Sequence, residues 1–263
     1  MKKLFLCFLV LLTFSPKAYA GALPEDTISA IRWYKVYWSG IHVADLKAHV
    51  KEDGLDAIIE SYGIVKKVSK YESVFKTRFN YVEGEFVPDS YYTEFQQRNG
   101  GRKIDIKFNK DGTVAKEEVT PPDNRAKRPA VSEKLKHDTF DPLTAFMAAR
   151  KKVKESLEKG NNSFSIKMYD GRRLSDLDFK IEGRFDRKIS GTKHKLVKVT
   201  FKRKPIEGYT QNELKRMQKE EPVFTLYLSD DEKLLPIKMD ADAPLGTAVL
   251  LFEKDCPSLD KCA

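Results

Sequence analysis

Polar and apolar residues alternate in short runs along most of this chain, and the runs are broken by strong turn signals. In Lys103-Ile104-Asp105-Ile106-Lys107-Phe108 the apolar residues fall on one face and the charged ones on the other, as the two-residue period of a half-buried strand requires. Phe75, Thr77, Phe79 and Tyr81 repeat the pattern against Lys76, Arg78 and Asn80. Turn signals at Glu52-Asp53-Gly54, Glu83-Gly84, Asn99-Gly100-Gly101 and Lys110-Asp111-Gly112 make the region from Ile28 to Val119 a series of hairpins. A second β block runs from Asn162 to Lys254, where Phe164, Ile166 and Met168, then Leu177, Phe179 and Ile181, then Val197, Val199 and Phe201 occupy alternate positions. One-sided alternation with tight turns predicts antiparallel pairing. Roughly ten such strands are too many for a flat sheet, so the pattern predicts a mainly β, antiparallel curled sheet, a barrel or half-barrel.

Between the two blocks the period changes. Asp141 as N-cap, Pro142 at the first helical position, a stripe of Leu143, Phe146, Met147, Val153 and Leu157, and Gly160 as terminator predict one inserted amphipathic helix. Its apolar stripe must lie on the concave or open side of the sheet. A minor second helix is expected over 211–220, with Leu214 and Met217 inward. The segment Thr120–Asp138 holds three prolines and few apolar residues, which reads as a long mobile loop, either a connector or a lid. Its Arg125, Lys127 and Arg128 are expected to form a basic surface.

The first twenty residues alter the compartment. Lys2 and Lys3 precede an apolar run from Leu4 to Phe14, and Ala18-Tyr19-Ala20 has the small-x-small form of a secretory cleavage site. The expected organisation is a signal peptide over 1–20, a single β-barrel-like domain over 21–255 and a C-terminal tail over 256–263. Cleavage near Ala20 would deliver the protein to the periplasm. Loss of Lys2, Lys3 and Lys17 lowers the formal net charge from +9 to +6. In that compartment a modest positive excess favours an anionic membrane or outer-membrane component over nucleic acid. Cys7 leaves with the leader, so Cys256 and Cys262 remain as one expected disulfide closing the tail.

Candidate chemistry is sparse. The sequence has no G-x-S-x-G elbow, no phosphate-cradling glycine loop and no H-E-x-x-H, and its histidines do not stand at ligand spacing with the cysteines. No catalytic residue, metal site or cofactor is expected. Asp240 and Asp242 share a strand face, and His137 adjoins Asp138 without a nucleophile. Tyr34, Val36 and Trp38 share one face of an early strand and Trp33 and Tyr37 the other, which places aromatic bulk on both sides. Trp33, Tyr37 and Trp38, with Phe146 and Met147 of the helix, are therefore the candidate ligand-binding residues.

Several segments, in order, resemble the exported bacterial family known as domain of unknown function 3108. They are Tyr34 through Ala44, Phe86-Val87-Pro88 with Tyr91, Asp141-Pro142-Leu143-Thr144-Ala145-Phe146, and Leu226 through Asp231 followed by Leu235-Pro236-Ile237-Lys238 and Gly246. The resemblance spans roughly residues 30 to 254 and implies fold and compartment, with no catalytic residues to carry over. The architecture is also similar to periplasmic lipoprotein carriers, whose curved sheets hold acyl chains beneath a helix, at fold level alone. The expected function is a non-catalytic binding or carrier protein for a hydrophobic or amphipathic envelope ligand such as a lipid or acyl chain. The alternatives are a structural or interaction protein of the envelope with a solid core, and a polysaccharide-binding module using Trp33, Tyr37, Asp240 and Asp242.

Overall fold

The computed structural model describes residues 30–68, 70–97, 100–243 and 246–262. The expected signal peptide and Cys7 lie outside them. Among the described residues thirteen strands follow one another: β1 (Ala30–Trp38), β2 (Ile41–Lys51), β3 (Gly54–Ser61), β4 (Glu72–Val82), β5 (Glu85–Gln97), β6 (Gly100–Phe108), β7 (Val114–Thr120), β8 (Ser163–Tyr169), β9 (Leu174–Ile189), β10 (Thr192–Glu207), β11 (Val223–Ser229), β12 (Pro236–Ala243) and β13 (Gly246–Cys256). They form one antiparallel sheet in the order β7-β6-β5-β4-β3-β2-β1-β13-β12-β11-β10-β9-β8. Pairing of β1 with β13 joins the two sequence blocks into one curled surface, and β7 and β8 remain as its edges. The expected curled sheet is present, with more strands than the alternation alone delimits. The expected turns fall between β2 and β3, β4 and β5, and β6 and β7; Asn99 of the expected turn at 99–101 lies outside the described residues, and Gly100 and Gly101 open β6.

Three helices accompany the sheet: α1 (Gly63–Val68), α2 (Pro142–Lys159) and α3 (Gln211–Glu220). The sequence reading omits α1, a single short segment with no buried residue. α2 starts as its capping signals require. The Asp141 side chain accepts hydrogen bonds from the backbone N–H of Leu143 and Thr144, and Gly160 closes the helix in the left-handed region at φ 72°. Its burial is wider than the predicted stripe. Thr144, Ala145, Met147, Ala148, Ala149, Arg150, Val153 and Ser156 are all buried, because the helix lies inside the curled sheet and packs against β8, β4 and β5. α3 begins with a complete capping box between Thr210 and Glu213.

The segment expected as a long mobile loop is built into the barrel wall. Phe140 pairs with Met168 on the free edge of β8, its N–H donating to the Lys167 carbonyl and its carbonyl accepting from the Tyr169 N–H, which covers an otherwise open strand edge. A 3-10 turn over Glu133–Leu135 precedes it. Val131 and Leu135 pack with Tyr91, Ile104, Ile106, Phe108, Tyr169 and Leu174 and fill the gap between β7 and β8 with apolar side chains. Two glycines permit that close approach. A Cβ on Gly171 would stand 2.4 Å from Ile104, one on Gly208 would stand 2.1 Å from the Arg172 carbonyl oxygen, and both residues have positive φ. Arg128 corrects the expectation of a basic surface. It is 5% exposed, donates to the Gly208 carbonyl at 2.5 Å and to Glu213 at 2.7 Å, and lies 3.6 Å from Asp123. A guanidinium so far from water is tolerable only with acid partners, and this one ties the segment to α3. Arg125 and Lys127 are exposed as expected.

Candidate ligand-binding cavity

Strand direction alternates around the sheet, so the β2–β3, β4–β5 and β11–β12 turns share one end of the barrel and α3 lies at the other. The C-terminal half of α2 plugs the first end. Lys151 bonds Glu85 at 2.8 Å, Lys154 bonds Glu232 at 2.5 Å, and Arg150 donates to the carbonyls of Leu234 at 3.2 Å and of Lys233. From this closed end a cavity of about 660 Å³ extends along the inner face toward α3, within the volume range of small-molecule sites. Its wall comes from β1, β2, β3 and β8 through β13, with α2 on the opposite side. No residue of β4 through β7 takes part.

The wall is apolar because alternate residues of each strand face it. Phe164, Phe179, Phe201 and Phe224 stand at matching register on β8, β9, β10 and β11, with successive ring centroids 4.8, 5.0 and 4.7 Å apart. The last three line the cavity. Phe146, Phe201, Phe224 and Met239 face inward yet are only half-buried, so this half of the interior is not closed by packing. Arg216 of α3 is the exposed member of the lining, and Arg203, Met217 and Pro222 lie with it at the α3 end, which marks the mouth. Glu213 also lies there. Burial works to raise its carboxyl, but hydrogen bonds from Arg128, the Thr210 backbone and Arg173 outweigh that and hold it at about 2.

At the closed end the polar groups are Arg32, Tyr34 and Arg150, all buried. Burial pushes the Tyr34 hydroxyl up to about 12, while the Arg32 and Arg150 charges pull the other way, so both guanidiniums act on this tyrosine.

The candidate residues divide. Phe146 and Met147 line the cavity; Trp33, Tyr37 and Trp38 do not. Trp33 and Tyr37 lie on the opposite strand face from the lining residues Arg32 and Tyr34. Trp33 donates to Asp45 at 3.0 Å, with Lys35 and Lys254 each 5.1 Å from its ring. The Tyr37 ring is tilted against that of His42 at 5.4 Å, and His42 stacks on Tyr62 at 4.0 Å. Trp38 shares the alternation of Tyr34 but ends its strand at the β1–β2 turn, 40% exposed. No residue of Thr120–Asp138 lines the cavity. Asp240 pairs with Lys238 at 2.8 Å.

Arg32, Arg150 and Arg203 are among the lining residues that sequence reasoning misses. Their signal is a charged residue at an inward position: Arg32 two before Tyr34, Arg150 within the α2 stripe, and Arg203 two after Phe201. The sulfurs of Cys256 and Cys262 are within bonding distance, with the Cα atoms 5.4 Å apart. Among the described residues no cluster of three or more His, Cys, Asp or Glu could hold a metal ion, and no helix is long and apolar enough to cross a membrane.

The model of the family described as Protein of unknown function (DUF3108) matches residues 34–253. No curated protein matches the chain. Among solved structures, the chain is similar to a β-barrel-like protein of the domain of unknown function DUF1849 from Brucella abortus. That likeness has 9% identity and a TM-score of 0.53, and covers 87% of this chain and 97% of the other. A candidate lipoprotein from Parabacteroides distasonis aligns with 11% identity and a TM-score of 0.34, over 86% of this chain and 94% of the other.

Proposed function

The chain belongs to the DUF3108 family, and from the hollow half of its interior we infer that it is a non-catalytic binding or carrier protein for a hydrophobic or amphipathic ligand of the cell envelope. The observation that carries this reading is the cavity of about 660 Å³, apolar along its wall and bounded by arginines at both ends. A monomeric interior normally packs to crystal density, and an apolar void of this size in water costs stability unless something occupies it. The leader and its cleavage pattern support export to the periplasm, where lipids and acyl chains are abundant amphiphiles and need a cover to cross water. The titratable groups of the wall are arginines, buried tyrosines and a salt-bridged glutamate, a set suited to holding an anion and poor in nucleophile–base pairs.

The test is organic extraction and mass spectrometry of protein exported to the periplasm and purified without detergent. A stoichiometric apolar molecule is expected. Ala48 lines the cavity, and Ala48→Trp should fill part of it and lower the recovered stoichiometry while the fold persists by circular dichroism. Wild-type protein that arrives empty and fails to bind added long-chain lipids overturns the reading.

A further inference from the structure

Arg32 is a cation in an apolar wall with little to neutralise it. It projects inward from β1 and is 7% exposed; its Nε has no hydrogen-bond partner. The carboxylate of Asp255 stands 3.6 Å from that Nε, beyond hydrogen-bond length for this pair, and the Asp255 side chain is itself 68% exposed. A guanidinium cannot escape burial by losing its proton. A fixed charge in an apolar site costs several kcal/mol unless an anion answers it, and hydrophobic residues fill such positions more cheaply. The other guanidinium at this end, on Arg150, donates to the carbonyls of Lys233 and Leu234. Both charges act on the Tyr34 hydroxyl between β1 and α2. The closed end therefore has the donors of an anion receptor, and the stacked phenylalanines cross the strands of the wall with Phe224, at the start of β11, next after α3 in the chain.

We propose that Arg32, with Arg150 at the same end, receives the acid head of an anionic amphiphile that enters head first and lays its tail along Phe179, Phe201 and Phe224. This rests on the cavity-binding reading above and adds to it the charge and the direction of entry. The head is a carboxylate or a phosphate; both present paired oxygens to a guanidinium fork.

Equilibrium dialysis of full-length mature protein with oleate, oleyl alcohol and oleoyl lysophosphatidate tests it, since the three share a tail and differ in the head. Wild-type protein should bind at least one of the two anions tenfold or more tighter than the alcohol, and whichever anion prevails names the head. Arg32→Leu should erase that preference while leaving alcohol binding within twofold, and its fold is checked by circular dichroism. If the leucine variant does not fold, Arg32→Met serves in its place. Arg125→Leu, on the exposed surface outside the cavity, is the control and should leave the preference intact. Equal binding of all three ligands, or a preference that survives loss of Arg32, overturns the head-first site and leaves the cavity reading standing. A preference erased by Arg203→Leu instead places the head at the mouth and overturns the proposal as well. Binding of none of the three overturns both readings.

Discussion

The interior has two halves that share one alternating sequence pattern and finish differently. Under β4 to β7, Phe79, Phe86, Tyr91, Ile104, Ile106 and Phe108 are each 8% exposed or less, and residues from the connecting segment and the β8–β9 turn fill what remains. Under β8 to β13 and β1 to β3 the wall is equally apolar but encloses a cavity. The difference is set by α2. Its N-terminus is fixed to the filled half where the Thr77 hydroxyl of β4 bonds Asp141 at 2.9 Å and Thr144 at 3.0 Å. Ala148 and Ala149 are buried away from the cavity, and such small side chains let a helix approach a sheet closely. A helix held against β8, β4 and β5 leaves room before the strands farther from it, so placement of the helix decides which part is hollow. Amino-acid composition does not.

The largest expected effect breaks the filled half. Ile106 is fully buried, so Ile106→Ala should cost about 2–5 kcal/mol in urea unfolding, as large-to-small changes in packed cores do. Met239→Ala in the cavity wall, where the side chain is half-buried beside an existing void, should cost about 1 kcal/mol or less. Equal costs would mean that the two halves are packed alike and would remove the basis of the comparison.

The next effect concerns the anchor of α2. Burial pushes the Asp141 carboxyl up to about 6, against the opposing pull of hydrogen bonds from Thr144, Thr77 and Leu143. The folded state therefore holds this proton more tightly than the unfolded chain, whose aspartate titrates near 4. Stability from this group is greatest below about pH 4 and is lost as pH rises through about 6, by an amount on the order of 2–3 kcal/mol. Asp141→Asn keeps the N-cap acceptor and should flatten that dependence between pH 4 and 7 in thermal melts. A wild-type profile without a decline over that range contradicts the assignment.

How much of this was legible before the structure follows from the range of each signal. Strand alternation, turns and helix caps are local, so the Lys103–Phe108 strand, the Asp141 cap and the Gly160 stop were all readable. What α2 packs against is not local, and its predicted stripe missed Ala148 and Ala149 because small residues carry little hydrophobic signal. The connecting segment reads as a loop since its lysines and arginines look solvated in sequence; only contact with Glu117 and Glu213 from elsewhere, and with Asp123 of the segment itself, reveals Arg128 and Lys136 as buried. Trp33 and Tyr37 attracted attention by size, although alternation alone could not say which strand face looks inward. Arg32 lay beside them as a charge two residues from Tyr34, and a charge on a dry face was the more informative sign.

The smallest expected effect sharpens the boundary where the filled seam meets the mouth of the hollow half. Glu213 accepts from Arg128 at 2.7 Å and from Arg173 at 2.6 Å, joining the connecting segment and the β8–β9 turn to α3. Burial opposes its charge, but those guanidiniums and the Thr210 backbone keep its carboxyl at about 2. Because the folded value lies below the unfolded one, the stability it contributes is present above about pH 4.5 and is lost as pH falls toward 2. Its side chain is 27% exposed, so solvent screening reduces the contribution to about 1 kcal/mol. Glu213→Gln should lower stability by that amount at neutral pH and make acid unfolding between pH 4.5 and 2 shallower. Arg128 then stays buried with Asp123 at 3.6 Å as its remaining acid, so the variant should also speed hydrogen exchange at the backbone amides of 124–136 and of α3, leaving β5 and β6 unchanged. Uniform exchange through the filled half would mean that seam and core unfold together, and the boundary drawn at Glu213 would then have no energetic meaning.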